Sequence, residues 1–212
     1  MVIAAIEDRR VRRTRDLLRD AVLELGKTRD LTDLTVQDIT RQAEVNRATF
    51  YQHYRDKDEL IDQTLEGLLE ELFAACGPVL AGVEHLRPDE VHPSVVALFR
   101  QVSRRAELYG RLIGNGGSAS FVRRFQVRND ELSLVVMGIA DDAGGKNPIP
   151  AEVRARFGTA ATLGLLGLWL ERGGTESAET MAAWLWQMVR AVWFDGPDET
   201  GISTPSRCRS WL

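Results

Sequence analysis

Residues 35–57, TVQDITRQAEVNRATFYQHYRDK, constrain this chain more than any other stretch. Val36, Ile39, Thr40 and Ala43 recur at helical spacing, which predicts a short helix with one buried face. Thr35 is placed to cap it, and Asp38, three positions later, completes a capping-box-like pair. The pattern breaks at Glu44-Val45-Asn46. Asn46 is suited to cap a second, very short helix, because its side chain can accept from an orphan backbone N–H. On that helix Ala48, Phe50 and Tyr54 can turn inward. Arg47, Thr49, Tyr51, Gln52 and His53 are left outside. Two short helices joined by a tight turn, the second presenting hydrogen-bonding side chains, predict a helix-turn-helix.

On these residues the chain resembles the TetR family of transcriptional regulators. The turn reads AEVN, the second helix carries TFYQHY, and Lys57 opens the next helix within DKDEL. Glu44 departs from the pattern, since the family usually has Gly there. The strong match covers roughly the first quarter of the chain; beyond it the likeness is architectural. The resemblance implies base or phosphate contacts at Arg47, Ala48, Thr49, Tyr51, Gln52 and His53, and a phosphate contact at Lys57. It also implies a C-terminal helix pair that packs against its copy in a second subunit, and a second domain that binds a small molecule.

With 212 residues, 44% hydrophobic and 27% charged, the chain has enough apolar material for a sizeable core. The net charge of −4 does not by itself point to nucleic acid. Charge is local, however. Arg9, Arg10, Arg12, Arg13 and Arg15 cluster just ahead of the helix-turn-helix, where positive charge would lie beside phosphate or let preceding residues reach a minor groove. The same run is also compatible with a solvated helix face. Cys76 and Cys208 are far apart without a CxxC pattern, so neither a disulfide framework nor a zinc site is expected. The first residues do not read as a signal peptide, and the longest apolar run, residues 163–170, is too short to span a bilayer. A soluble protein in a reducing cytoplasm is the expectation.

The whole chain reads as all-α. Residues 1–56 form a three-helix DNA-binding head, 57–195 a helical ligand-binding and dimerisation domain, and 196–212 an irregular tail. The first helix covers residues 9–27. A continuous helix from Lys57 to about Cys76 would couple the second domain to the head, ending at Gly77-Pro78. Pro88-Asp89-Glu90 reads as the next helix start, and residues 141–150 as the clearest loop. Helices over 152–172 and 177–194 are the most apolar, and Ala160, Ala161, Gly164 and Gly167 would relieve a tight helix contact. This pair is the expected homodimer interface, with intrachain core as the alternative.

Thr35 and Gln37, at the start of the first helix of the motif, could meet the DNA backbone. Arg47 is suited to guanine or phosphate, and Gln52 to adenine. Phe50 reads as core, and His53 as either a phosphate ligand or a partly buried cap. Candidates for a small-molecule pocket are Phe99, Tyr109, Phe121, Phe125, Trp169 and Trp184, though residues of this kind are more often core than pocket. No metal or other cofactor is expected. No GxSxG, HExxH, P-loop or dinucleotide fingerprint occurs, so no enzyme is expected. The resulting expectation is a homodimeric repressor released from a palindromic operator by a small molecule. The alternative is a co-regulator of the same fold that binds a protein instead of DNA.

Overall fold

A computed structural model describes residues 2–76, 90–114, 117–142 and 147–195, and in these residues every regular element is helical. The first helix, α1 (Val2–Leu25), presents Leu18, Ala21 and Val22 on one stripe, and Leu18 and Val22 are fully buried. It begins well ahead of Arg9, so the residues expected as a free arm are helical. A 3-10 turn (Leu31–Asp33) leads to α2 (Val36–Gln42) and α3 (Arg47–His53). Leu34, Ile39 and Phe50 close on α1 with no exposed surface. Burying each such side chain contributes about 1.5–3 kcal/mol, which lets two seven-residue helices hold their shape.

Gly26 allows a close approach where α1 ends. A Cβ there would lie 2.9 Å from Leu31 Cδ2 and 3.1 Å from Leu108 Cδ1. Leu108 belongs to the body, so this glycine seats the body directly against the head.

Asp56 starts α4 (Lys57–Ala74) by accepting the Glu59 N–H at 2.9 Å. The helix buries Leu60, Thr64, Leu65, Leu68, Leu69, Leu72 and Phe73, so two of its faces are covered, one by the head and one by the body. The body continues with α5 (Pro93–Ser103), α6 (Ala106–Ile113), α7 (Ala119–Asp142), α8 (Ala151–Glu171), α9 (Ala178–Arg190) and a π turn (Ala191–Asp195). The helix expected from Pro88 starts at Pro93. His92 is extended and caps it, and Pro93 takes the first-turn position where a missing N–H costs nothing. Residues 77 and 78, 88 and 89, and the tail 196–212 lie outside the described residues, as do residues 143–146 of the expected 141–150 loop, whose first two residues continue α7.

Aromatic pairs knit the body: Phe73 against Phe125 at 5.3 Å, Phe99 against Trp169 at 5.5 Å, and Tyr109 against Phe121 at 6.0 Å between ring centres. Of the small residues expected to relieve a tight helix contact, Gly164 and Gly167 relieve none inside the chain. A Cβ on Gly164 or Gly167 would meet nothing within 4 Å.

Candidate nucleic-acid interface

The capping box at Thr35 forms in both directions: Asp38 N–H donates to Thr35 Oγ1 at 3.1 Å, and Thr35 N–H to Asp38 Oδ2 at 3.1 Å. Hydrogen bonds from Thr35, then Arg29, hold the Asp38 carboxyl at about 2, from an ordinary 3.8. Arg29 also pairs with Asp38 at 3.3 Å, tying the end of α1 to the start of α2. Thr35 and Gln37 are exposed at that helix start.

The turn into α3 passes through Glu44, whose φ is +55°. That is the left-handed region where a Cβ is crowded, so the departure from Gly noted in the sequence carries local strain. Asn46 then caps α3, its Oδ1 accepting Ala48 N–H at 2.8 Å. Phe50 and Tyr54 face inward, their rings 5.9 Å apart. Ala48 does not turn inward as its spacing predicted; it is exposed beside Arg47, because Phe50 and Tyr54 alone fill the contact with α1. Arg47, Ala48, Tyr51 and Gln52 form the outward face, with Thr49 and His53 half-buried at its edges. Lys57 is half-buried, and its Nζ donates to the Thr32 carbonyl at 2.5 Å, pinning α4 to the 3-10 turn. The basic residues Arg9, Arg10, Arg12, Arg13 and Arg15 are all exposed on α1.

Residues 18–64 match the family described as bacterial regulatory proteins, tetR family. That N-terminal segment is of the TetR family. An uncharacterized HTH-type transcriptional regulator of Bacillus subtilis (strain 168), YxbF, is 42% identical over 67 residues, 31% of this chain. The match spans about a fifth of that relative's length (18%). Among solved structures, a TetR transcriptional regulator from Streptococcus agalactiae 2603V superposes with a TM-score of 0.66 at 22% identity, covering 88% of this chain and 98% of the other. The dihydroxyacetone kinase operon activator DhaS does so with a TM-score of 0.59 at 17% identity, covering 85% and 96%. These two share the fold over most of the chain.

Away from the head, the body holds a cavity of about 80 Å³ among α4, α5, α7, α8 and α9. None of the six aromatic residues expected to line a pocket is there. Phe99, Tyr109, Phe121, Phe125 and Trp169 are spent on core packing, and Trp184 is 46% exposed on the outer side of α9. The lining instead includes Phe73, His92, Asn129, Ser133, Trp186 and Trp193. The sequence pattern hid His92 because it began α5 at Pro88. Recognising His92-Pro93 as a cap and first turn would have placed His92 inside. Burial holds the His92 imidazole below its ordinary value, and burial raises the Cys76 thiol beside the cavity to about 11. No helix of the described residues is long and apolar enough to cross a membrane.

Proposed function

We propose that this chain is a homodimeric transcriptional repressor, with a reading head at residues 1–56 and a regulatory body at 57–195, released from a palindromic operator by a small molecule. The observation that carries the proposal is the outward face of α3, where Arg47, Tyr51 and Gln52 are exposed while Phe50 and Tyr54 anchor the helix from behind. In a major groove Arg47 reaches guanine or phosphate and Gln52 reaches adenine. Thr35, Gln37, Thr49, His53 and Lys57 border the same face and meet the backbone. The exposed arginines of α1 add salt-dependent attraction.

Dimerisation is supported by a stripe of exposed apolar residues that a monomer would leave in water. Val153, Phe157 and Leu168 follow one face of α8 with 57, 48 and 42% exposure, and Trp184 and Met188 follow one face of α9 with 46 and 51%. Two copies joined there place two α3 helices on successive major grooves, roughly 34–36 Å apart. A molecule binding the body favours a head spacing that no longer fits, and affinity falls by linkage.

Selection of genomic fragments by the purified protein, followed by gel shifts across a salt series, tests the proposal. Enrichment of a palindrome bound with a steep salt dependence is expected. Binding without sequence preference, or no salt-dependent binding at all, would refute it and favour a protein partner. Reporter transcription from the selected site with and without the protein separates repression from activation.

A further inference from the structure

This inference rests on the effector reading above, and the chemistry of the body cavity's wall specifies what can occupy it. We infer that it takes an uncharged, compact ring compound of about six to eight non-hydrogen atoms bearing one hydroxyl group, a phenol or a cyclic alcohol. Three observations carry this.

The first is size. At about 80 Å³ the cavity has room for several waters, since one water needs roughly 10–15 Å³ by this measure. That excludes long acyl chains and multi-ring molecules from the cavity as it stands.

The second is charge. Among the described residues the lining contains no Lys, Arg, Asp or Glu. His92 is held neutral by burial. A carboxylate or ammonium there would lose its hydration without gaining a counter-ion from the described lining, which is prohibitive in an apolar site. The rings of Phe73, Trp186 and Trp193 supply flat apolar walls.

The third is the arrangement of polar atoms. His92 Nδ1 accepts the Ser94 N–H at 3.3 Å and lies 2.7 Å from Ser94 Oγ. In the neutral ring this leaves the proton on Nε2, a donor with no partner among the described residues. Asn129 donates through Nδ2 to Thr159 Oγ1 at 2.9 Å, which leaves its Oδ1 as an acceptor. Ser133, only 4% exposed, has no hydrogen-bond partner among the described residues. Among the described residues, one free donor, one free acceptor and one group that is either match a hydroxyl, which both donates and accepts.

Isosteric probes test this on the full-length protein at neutral pH, by calorimetry and tryptophan fluorescence: phenol, cyclohexanol, toluene, methylcyclohexane, cyclohexylammonium and cyclopentanecarboxylate. Phenol and cyclohexanol are expected to bind, and toluene and methylcyclohexane about tenfold more weakly, the equivalent of one hydrogen bond. The two ions are expected not to bind. Ser133→Ala should weaken phenol several-fold and leave toluene unchanged, and Ser133→Leu should fill the cavity and abolish both. Cyclohexylammonium binding as well as cyclohexanol would mean an aromatic cation cage and overturn the inference. So would failure of every probe to bind, or insensitivity of phenol to both Ser133 variants. Operator affinity is followed in parallel: phenol bound without any change there supports the assigned cavity chemistry while contradicting the effector role.

Discussion

The guanidinium of Arg47 lies over the ring of Tyr51, 5.7 Å from its centre, and Nη2 donates to Tyr51 Oη at 3.3 Å. The two residues stand four apart on α3, the spacing at which side chains of one helix face meet. Tyr51 thus holds the guanidinium in one place before any DNA arrives, which reduces the ordering cost of a base or phosphate contact.

Arg47→Ala and Tyr51→Ala should each weaken operator binding by about 1–3 kcal/mol, or roughly five- to 150-fold. Because both side chains are exposed, the thermal melt should move little. The double variant should lose less than the sum, since the arginine's placement depends on the tyrosine. Gel shifts with a melting control check all three; strictly additive losses would show that the pair acts independently.

Glu44 supplies a second test. Holding a residue with a Cβ in the left-handed region costs about 1–2 kcal/mol, and glycine's extra freedom when unfolded returns about 0.4–1 kcal/mol of that. Glu44→Gly should therefore stabilise the head by roughly 0.5–1 kcal/mol. Glu44→Val, β-branched, should destabilise it. Opposite shifts of the melting temperature are the expected result.

How much could be read beforehand divides along the same physical line. The head is built from local signals: the Thr35 cap, the Asn46 cap and the spacing of Ile39 and Phe50 each act within a few residues. The TetR resemblance concentrated there for the same reason. The cavity is not local. Ser133 and Asn129 look like the polar side of an amphipathic helix, and only packing against α5 and α9 encloses them. Trp184 and Trp186 differ by two positions, yet one is 46% and the other 2% exposed. Helical rotation separates them, and composition alone could not say which faces in.

Acid should loosen the head through Asp38. Its carboxyl is depressed from 3.8 to about 2 by hydrogen bonds from Thr35 and Arg29. A depressed value contributes stability that is complete above the unfolded value and is lost as pH falls through the folded one. Wild type should lose this contribution between about pH 4 and pH 2. Asp38→Asn should flatten that part of the pH profile, measured by denaturant melts of both proteins at each pH.

The dimer proposal makes a prediction with opposite signs for folding and assembly. A side chain on Gly164 meets nothing within 4 Å in its own chain, and replacing glycine inside a helix gains up to about 1 kcal/mol. Gly164→Leu should leave the protomer as stable or more so, yet push two apposed α8 helices apart. Trp184→Glu should break the dimer by charging its apolar stripe. Sedimentation should show monomers for both, with normal helical content and weakened binding to a palindrome. A Gly164→Leu dimer of undiminished strength would place the interface elsewhere.

The last prediction concerns how the body holds the head. Glu71 on α4 pairs with Arg19 of α1 through one carboxylate oxygen and with Arg105, which precedes α6, through the other at 3.0 Å. Gly67 leaves room for the Arg19 guanidinium to lie across α4, since a Cβ there would stand 3.3 Å from Arg19 Cζ. Arg111 of α6 adds a bond from Nε to the Lys27 carbonyl at 3.0 Å. The cavity wall at His92 and Leu98 lies on the segment that leads through α5 to Arg105, so one helix connects the cavity to this clamp. All three charged side chains are about a third exposed, and solvent screening limits such pairs to below about 1 kcal/mol. The clamp should therefore contribute little to overall stability and act instead on the angle between residues 1–56 and the rest of the chain. Glu71→Ala should barely shift the melt and leave binding to a half-site unchanged. Binding to the full palindrome should fall several-fold, because two heads of loosened orientation meet two fixed grooves less often. Glu71→Gln, which keeps an acceptor for one arginine, should fall between. Equal losses on half-site and palindrome would mean that Glu71 supports the fold of the head itself and does not set its orientation.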